Sequence, residues 1–149
     1  LFVVPKGKPV PGAEDVHFPT PDGFTLRGCY LRGHRPRRGV ILFGPEFGSN
    51  RWACLQYTSA LLDAGYDVFS FEPRNQGDSD TDPAYQPLQW VTDRDQTDLR
   101  AAVAYLKKRK DAPAAGVGLF GISKGGSVGL LAAAGDPWVR CVATDGAYA

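Results

Sequence analysis

Short apolar segments alternate along this chain with segments of helical periodicity, and this alternation constrains the fold more than any other feature. A short run that is apolar at every position is typical of a strand buried on both faces. Strands that alternate with helices predict a parallel sheet with right-handed crossovers and helices on both faces. The predicted strands are residues 40–43, 66–71, 116–120 and 139–144, and the predicted helices are residues 52–64, 93–110 and 123–134.

The first part of the chain has a different pattern. Residues 15–18 and 24–31 are predicted strands, and the Asp22-Gly23 pair between them favours a tight turn, so we expect an antiparallel hairpin. Residues 1–14 are rich in Pro, Gly and Lys and predict an irregular lead-in. The predicted fold class is therefore α/β, with a mostly parallel sheet preceded by a hairpin. With 149 residues, the chain fits a single domain.

Charge and composition exclude several functions. The net charge of +1 creates no strong field that would attract nucleic acid or a membrane surface. Three widely spaced cysteines, Cys29, Cys54 and Cys141, form neither a disulfide framework nor a zinc pattern, and their apolar neighbours predict buried free thiols. No feature requires a metal or an organic cofactor. No window is apolar for long enough to span a bilayer.

The strongest chemical signal is the segment Gly121-Ile122-Ser123-Lys124-Gly125. It follows a predicted buried strand and opens a predicted helix, which is the context that a nucleophile elbow requires. Glycines on both sides of the serine allow the tight strand–helix crossing. We therefore predict Ser123 as a catalytic nucleophile. The alternative is a glycine-rich turn in which Ser123 only caps the helix.

Acyl transfer through Ser123 also needs backbone N–H groups that stabilise the oxyanion. One would come from Lys124, directly after the nucleophile. The second would come from the loop of residues 43–50, most plausibly from Phe47, because this loop follows the first parallel strand. A simple turn into the next helix is the alternative explanation of that loop.

Four motifs in the right order resemble the α/β-hydrolase superfamily. They are the opening hairpin at residues 18–26, the oxyanion loop at residues 42–50, the Arg-Gly-x-Gly-x-Ser-like loop at residues 74–79 and the elbow at residues 121–125. The resemblance is greatest to the serine-hydrolase branch with esterases, monoacylglycerol-lipase-like and serine-aminopeptidase-like proteins. It implies that residues 15–149 form the N-terminal part of one such domain, incomplete at its carboxyl end.

The resemblance also implies a Ser–acid–His order, and the histidine is missing after Ser123. His17 and His34 both precede it. Asp145 stands where some members carry the acid and is a weak candidate for it. Relatives usually have His-Gly where this chain has Pro45-Glu46, so we expect Glu46 to line the substrate site and oppose the oxyanion if it faces the site.

Three functions remain open. The first is a serine hydrolase of esters, thioesters or amides, with its histidine and acid supplied by the remainder of the domain, in the same gene or a second chain. The second is a non-catalytic protein that binds a ligand or partner, and the third is an acyltransferase of the same fold. The sequence favours a soluble domain without fixing its compartment. Membrane contact would require an N-terminal anchor, of which residues 1–4 could be the tail.

Overall fold

The computed structural model describes residues 4–148, which form one mixed sheet of six strands with three α-helices. In chain order the elements are β1 (Glu14–Pro19), β2 (Thr25–Leu31), β3 (Gly39–Gly44), α1 (Cys54–Asp63), β4 (Tyr66–Glu72), α2 (Asp93–Lys108), β5 (Val117–Ile122), α3 (Lys124–Ala134) and β6 (Val139–Asp145). Every predicted strand and helix is present, with bounds shifted by one or two residues.

The strands lie in the order β1-β2-β4-β3-β5-β6. β1, β2 and β4 pair antiparallel, while β3 pairs parallel with β4 and β5, and β5 pairs parallel with β6. The parallel strands therefore end at the same edge of the sheet, where the loops after β3, β4, β5 and β6 meet. The predicted fold class, a mostly parallel sheet with an N-terminal hairpin, is confirmed.

Alternate residues of the central strand β3 face two separate cores, which explains why residues 40–43 are all apolar. In β3, Val40 and Leu42 pack in the larger core with Leu99 and Leu106 of α2. Phe43 faces the smaller core on the other side, which includes residues of α1. Helices thus cover both faces of the sheet, α1 on one and α2 with α3 on the other.

The structure corrects two details of the sequence interpretation. The helix predicted from residue 52 begins with a 3₁₀ turn at Arg51–Ala53, and α1 buries Cys54 and Thr58 while Leu55 is 38% exposed. The helical spacing predicts Trp52, Leu55, Ser59 and Leu62 as one buried face; Trp52 and Leu62 do pack against the smaller core, whereas Leu55 and Ser59 are exposed. Cys141 is exposed on β6, because β6 is the edge strand of the sheet, whereas Cys29 and Cys54 are buried free thiols as predicted.

The N-terminal lead-in contains no helix or strand over residues 4–13, as predicted, but it is held against the loop after β3. Asn50 accepts a hydrogen bond from the backbone N–H of Gly7 and donates one to its carbonyl, and Ser49 donates to the carbonyl of Pro5. The anchor proposed from residues 1–4 lies almost wholly outside the described residues. None of the helices that the structure describes has both the length and the apolar character needed to cross a bilayer.

A buried arginine fixes the loop that follows β4. Arg74 is 1% exposed and donates to both carboxyl oxygens of Asp98 on α2, with the shortest contact at 2.7 Å. It also donates to both oxygens of Asp22 in the β1–β2 turn, at 2.7 and 3.0 Å. One guanidinium therefore joins the hairpin, the loop and α2, which gives this loop a structural role.

Replacement of Arg74 tests this arrangement. We expect Arg74→Ala to lower the free energy of unfolding by about 3–5 kcal/mol, because it leaves the carboxylate of Asp98 buried without its partner. The matched control is Arg100→Ala on α2, where an exposed arginine contacts only Gln96, and this change should have little effect. Urea unfolding of both variants measures the difference. Equal losses would show that the Arg74 network is not a major source of stability.

The same network predicts an acid sensitivity. Hydrogen bonds from Arg74 lower the pKa of Asp22 from 3.8 to about 2, so its contribution to stability is complete above pH 3.8 and is lost as the pH falls through 2. We expect Asp22→Asn to be less stable than the wild type above pH 3.8. As the pH falls from 3.8 to 2, the variant should lose less stability than the wild type. The side chain of Asp22 is 45% exposed, so the effect will be modest. Thermal unfolding across this range measures it, and parallel acid profiles would contradict the assignment.

Candidate active site

Ser123 occupies a strained turn between β5 and α3. Its backbone has φ 50° and ψ −123°, a left-handed conformation that costs a non-glycine residue about 1–3 kcal/mol. Its N–H donates to the carbonyl of Asp145 at 2.7 Å, and its carbonyl accepts from the N–H of Gly126 at 2.9 Å. The serine side chain makes no capping hydrogen bond, so the interpretation of Ser123 as a helix cap is wrong. Its hydroxyl remains available for chemistry.

The glycines around the elbow permit backbone contacts that no side chain would allow. A Cβ on Gly121 would lie 2.5 Å from the Cα of Gly126. A Cβ on Gly125 would overlap the carbonyl group of Gly44, at the end of β3. The start of α3 is thus pressed against the end of β3, which brings the two segments predicted to supply oxyanion donors together.

The backbone N–H groups of both predicted oxyanion donors are available. Lys124 is the first residue of α3, and an N–H in the first turn of a helix has no intrahelical acceptor. Among residues 4–148, Phe47 donates its backbone N–H to no other backbone group. The positive end of the helix dipole adds to the field that would stabilise an anion beside Ser123. The oxyanion roles of Lys124 and Phe47 remain predictions.

A pocket of about 520 Å³ opens beside the nucleophile. Its walls come from the loop after β3, the elbow and two segments that the sequence interpretation did not assign to the site. They are formed by Val4, Pro5, Glu46, Phe47, Gln89, Ile122 and Ser123. The Nε2 of Gln89 lies 3.5 Å from the Oγ of Ser123, at the outer limit of a hydrogen bond. No local signal in the sequence placed Gln89 or the lead-in here, because only the tertiary fold brings them to the elbow.

Glu46 lines the same pocket, as expected for a substrate-site residue, and is 9% exposed. The hydroxyl of Tyr57 on α1 donates to its Oε1 at 3.0 Å. Burial raises the pKa of Tyr57, and the hydrogen bond with Glu46 and the charges of Glu46 and Asp145 raise it further. Tyr57 therefore stays protonated and orients the carboxyl group of Glu46 at the pocket wall.

Lys124 has a second role that the sequence did not reveal. Its side chain is buried, and its Nζ lies 2.9 Å from the Oδ1 of Asp95 on α2 and donates to the carbonyl of Leu88 at 2.7 Å. The hydroxyl of Tyr85 also donates to Asp95. The ammonium group thus ties the elbow to α2 and to the loop that carries Gln89, and its charge is neutralised by Asp95.

The structure brings Asp145 to the elbow but leaves both histidines away from it. Asp145 ends β6 beside Ile122, and its backbone carbonyl holds Ser123. His17 is on β1, four strands from β5, so roughly 19 Å separates them across the sheet. His34 precedes β3 and is exposed at the opposite end of that strand. Within residues 4–148, therefore, neither histidine lies within reach of Ser123.

No group of three or more His, Cys, Asp or Glu side chains within residues 4–148 is placed to hold a metal ion. The chemistry that the described site offers is that of a serine hydroxyl, backbone N–H donors and a carboxyl group.

Comparisons with known proteins find relatives and solved structures that are similar to this chain. No protein-family model matches the chain. A polyketide transferase of Gibberella fujikuroi is 30% identical over 128 residues, which are 85% of this chain and 38% of the relative. The thiohydrolase aneE of Aspergillus aculeatus is 28% identical over 130 residues, or 86% of this chain and 39% of the relative. The chain thus spans about two fifths of the length of these curated relatives.

Solved structures extend the comparison. The α/β hydrolase GrgF of a Penicillium species superimposes with a TM-score of 0.76 and 28% identity, covering 89% of this chain and 45% of that one. The Pyrococcus furiosus esterase Pf2001 gives a TM-score of 0.81 at 24% identity, covering 95% of this chain and 53% of that one, and shows the fold alone. The names of these relatives and neighbours are those of a transferase, a thiohydrolase, an α/β hydrolase and an esterase. The chain belongs to the α/β-hydrolase superfamily.

Addition of a single methyl group at Gly121 tests the tight strand–helix crossing at the elbow. We expect Gly121→Ala to destabilise the chain strongly, because its Cβ would collide with the backbone of Gly126 in a close-packed crossing that cannot relax. The same change at Gly135, where the nearest atom to an added Cβ is 3.9 Å away, is the control and should be tolerated. Thermal unfolding compares the two, and wild-type stability of Gly121→Ala would disprove the tight crossing.

Proposed function

We propose that this chain carries the nucleophile half of a serine hydrolase that cleaves an ester, thioester or amide through an acyl-enzyme on Ser123. The observation that carries the proposal is the strained backbone of Ser123, which holds an uncapped hydroxyl beside a pocket of about 520 Å³ at a helix N-terminus. A structural serine would have no need of this strain. The names of the relatives make a thioester the first substrate class to test.

In the proposed reaction, the Oγ of Ser123 attacks the acyl carbonyl and the leaving group departs with a proton. The N–H groups of Lys124 and Phe47 stabilise the oxyanion of the tetrahedral intermediate. Water then attacks the acyl-enzyme and releases the acid. A general base must accept the serine proton, and we propose that a histidine from sequence outside residues 1–149 does so, with Asp145 or an outside residue as its acid.

An activity-based probe tests the proposal. A fluorophosphonate should label Ser123 in the product of the full open reading frame that encodes this chain, and Ser123→Ala should abolish the label. The control is Ser59→Ala, which removes an exposed serine on α1 and should label normally. The isolated 149-residue chain should label at least about a hundredfold more slowly, because its serine lacks a base.

The outcomes separate the proposed classes. If the folded full-length product does not react with the probe, the non-catalytic binding function replaces the hydrolase. If the isolated chain reacts as fast as the full-length product, the base lies within residues 1–149 and the proposed outside histidine is wrong.

A second candidate is acyl transfer to an alcohol instead of water, and the polyketide transferases among the relatives favour it. The two reactions share the acyl-enzyme and differ only in the second nucleophile. Product analysis of a thioester reaction with and without an added alcohol separates them. Ester formation that competes with hydrolysis would identify a transferase, whereas free acid alone would identify a hydrolase.

A further inference from the structure

One carboxyl oxygen in the pocket wall has no partner. Glu46 uses Oε1 to accept the hydrogen bond from Tyr57, while its Oε2 is buried and has no hydrogen-bond partner among the described residues. A buried polar atom without a partner costs free energy, so its presence in a native structure requires an explanation. Here the unpaired oxygen belongs to a residue that lines the pocket of Ser123.

Among the residues of the pocket wall that the structure describes, no cation balances the negative charge of Glu46. The other described residues of the wall are apolar or neutral. The nearby ammonium of Lys124 is already paired with Asp95, and Lys6 borders a separate surface hollow beside Trp52. Asp145, close enough to raise the pKa of Tyr57 as Glu46 does, adds negative charge on the same side. A low-dielectric pocket concentrates such a field.

We propose that Glu46 makes this pocket selective for acyl substrates that carry a cationic amine, and that it rejects anionic ones. The proposal rests on the proposed acyl chemistry of Ser123 and names the substrate class for it. It also explains how a carboxylate can be tolerated beside an oxyanion site: a bound ammonium offsets the negative charge of Glu46 that would otherwise oppose the tetrahedral intermediate. The hydrogen bond from Tyr57 fixes the position of the carboxylate, and because Oε2 is buried, its charge acts on the pocket through its field rather than through direct contact.

The field in the pocket can be measured without catalysis. Ser123→Cys provides a thiol at the site, in a Cys141→Ser background that removes the exposed native thiol, since Cys29 and Cys54 are buried. The probes are three methanethiosulfonates that carry a trimethylammonium, a sulfonate or a neutral methyl group. Mass spectrometry measures the rate at which each of the three reagents modifies the introduced thiol. The ratio of the cationic to the anionic rate does not depend on the reactivity of the thiolate itself.

We expect the cationic reagent to react about tenfold faster than the anionic one, after correction with a small free thiol. Glu46→Gln should reduce this ratio at least about threefold, because it removes the charge and keeps the shape. The control is Asp63→Asn, which removes an exposed carboxylate at the far end of α1 and should leave the ratio unchanged. A ratio that is unchanged in Glu46→Gln, or a faster anionic reagent, would overturn the proposal.

The substrate class is tested in the full-length product. Thioesters of an ω-amino acid and of the fatty acid of equal length should differ in kcat/KM, and Glu46→Gln should lower the value for the amine relative to the value for the fatty acid. If the fluorophosphonate labels Ser123 but both thioesters respond equally to Glu46→Gln, the proposed selectivity is wrong and the proposed hydrolase function is retained. If no probe labels Ser123 while the thiol measurement still shows the field, the acyl chemistry is wrong and the cation-selective pocket stands.

Discussion

The contact on which this structure depends is the close approach of two backbones, the end of β3 and the start of α3. It exists because Gly44, Gly121 and Gly125 carry no Cβ, and any side chain there would overlap neighbouring backbone atoms. The approach brings the start of α3, where Ser123 has its strained conformation, to the beginning of the loop that carries Phe47. Strain of this kind persists only where the surroundings fix it, here through the bond from Ser123 to the carbonyl of Asp145.

Charged groups around the elbow are arranged in two contrasting ways. On the α2 side, Lys124 and Asp95 are both buried, in contact and supported by further hydrogen bonds, so their charges cancel locally. On the α1 side, the neutral hydroxyl of Tyr57 is the only side-chain donor to the carboxyl group of Glu46 within residues 4–148. A buried ion pair mainly fixes the positions of its two side chains, because the cost of desolvation offsets much of their attraction. A carboxylate without a counter-ion instead imposes its electrostatic field on the adjacent pocket.

Much of the fold could be predicted because it depends on local patterns. Apolar runs marked the buried strands. The three- and four-residue spacing of Leu99, Val103 and Leu106 predicts the buried face of α2, and all three residues are buried. The face of α1 was predicted only in part, because Trp52 and Leu62 pack against the smaller core while Leu55, which has the same helical spacing, is exposed. Exposure of Cys141 was missed for a similar reason, since strand order decides which strand is at the edge.

The sequence by itself determined the class of fold and the identity of the candidate nucleophile, because the elbow motif and the strand–helix alternation are short-range features. Only the tertiary structure decided what surrounds that serine. Gln89 is distant from Ser123 in sequence and reaches it because loops from the carboxyl ends of parallel strands converge at one edge of the sheet. The lead-in reaches the same pocket because hydrogen bonds hold it against the loop after β3. The same convergence left Glu46 beside Ser123 with one oxygen unpaired, since hydrogen bonds between separate elements are fixed by packing rather than by local sequence.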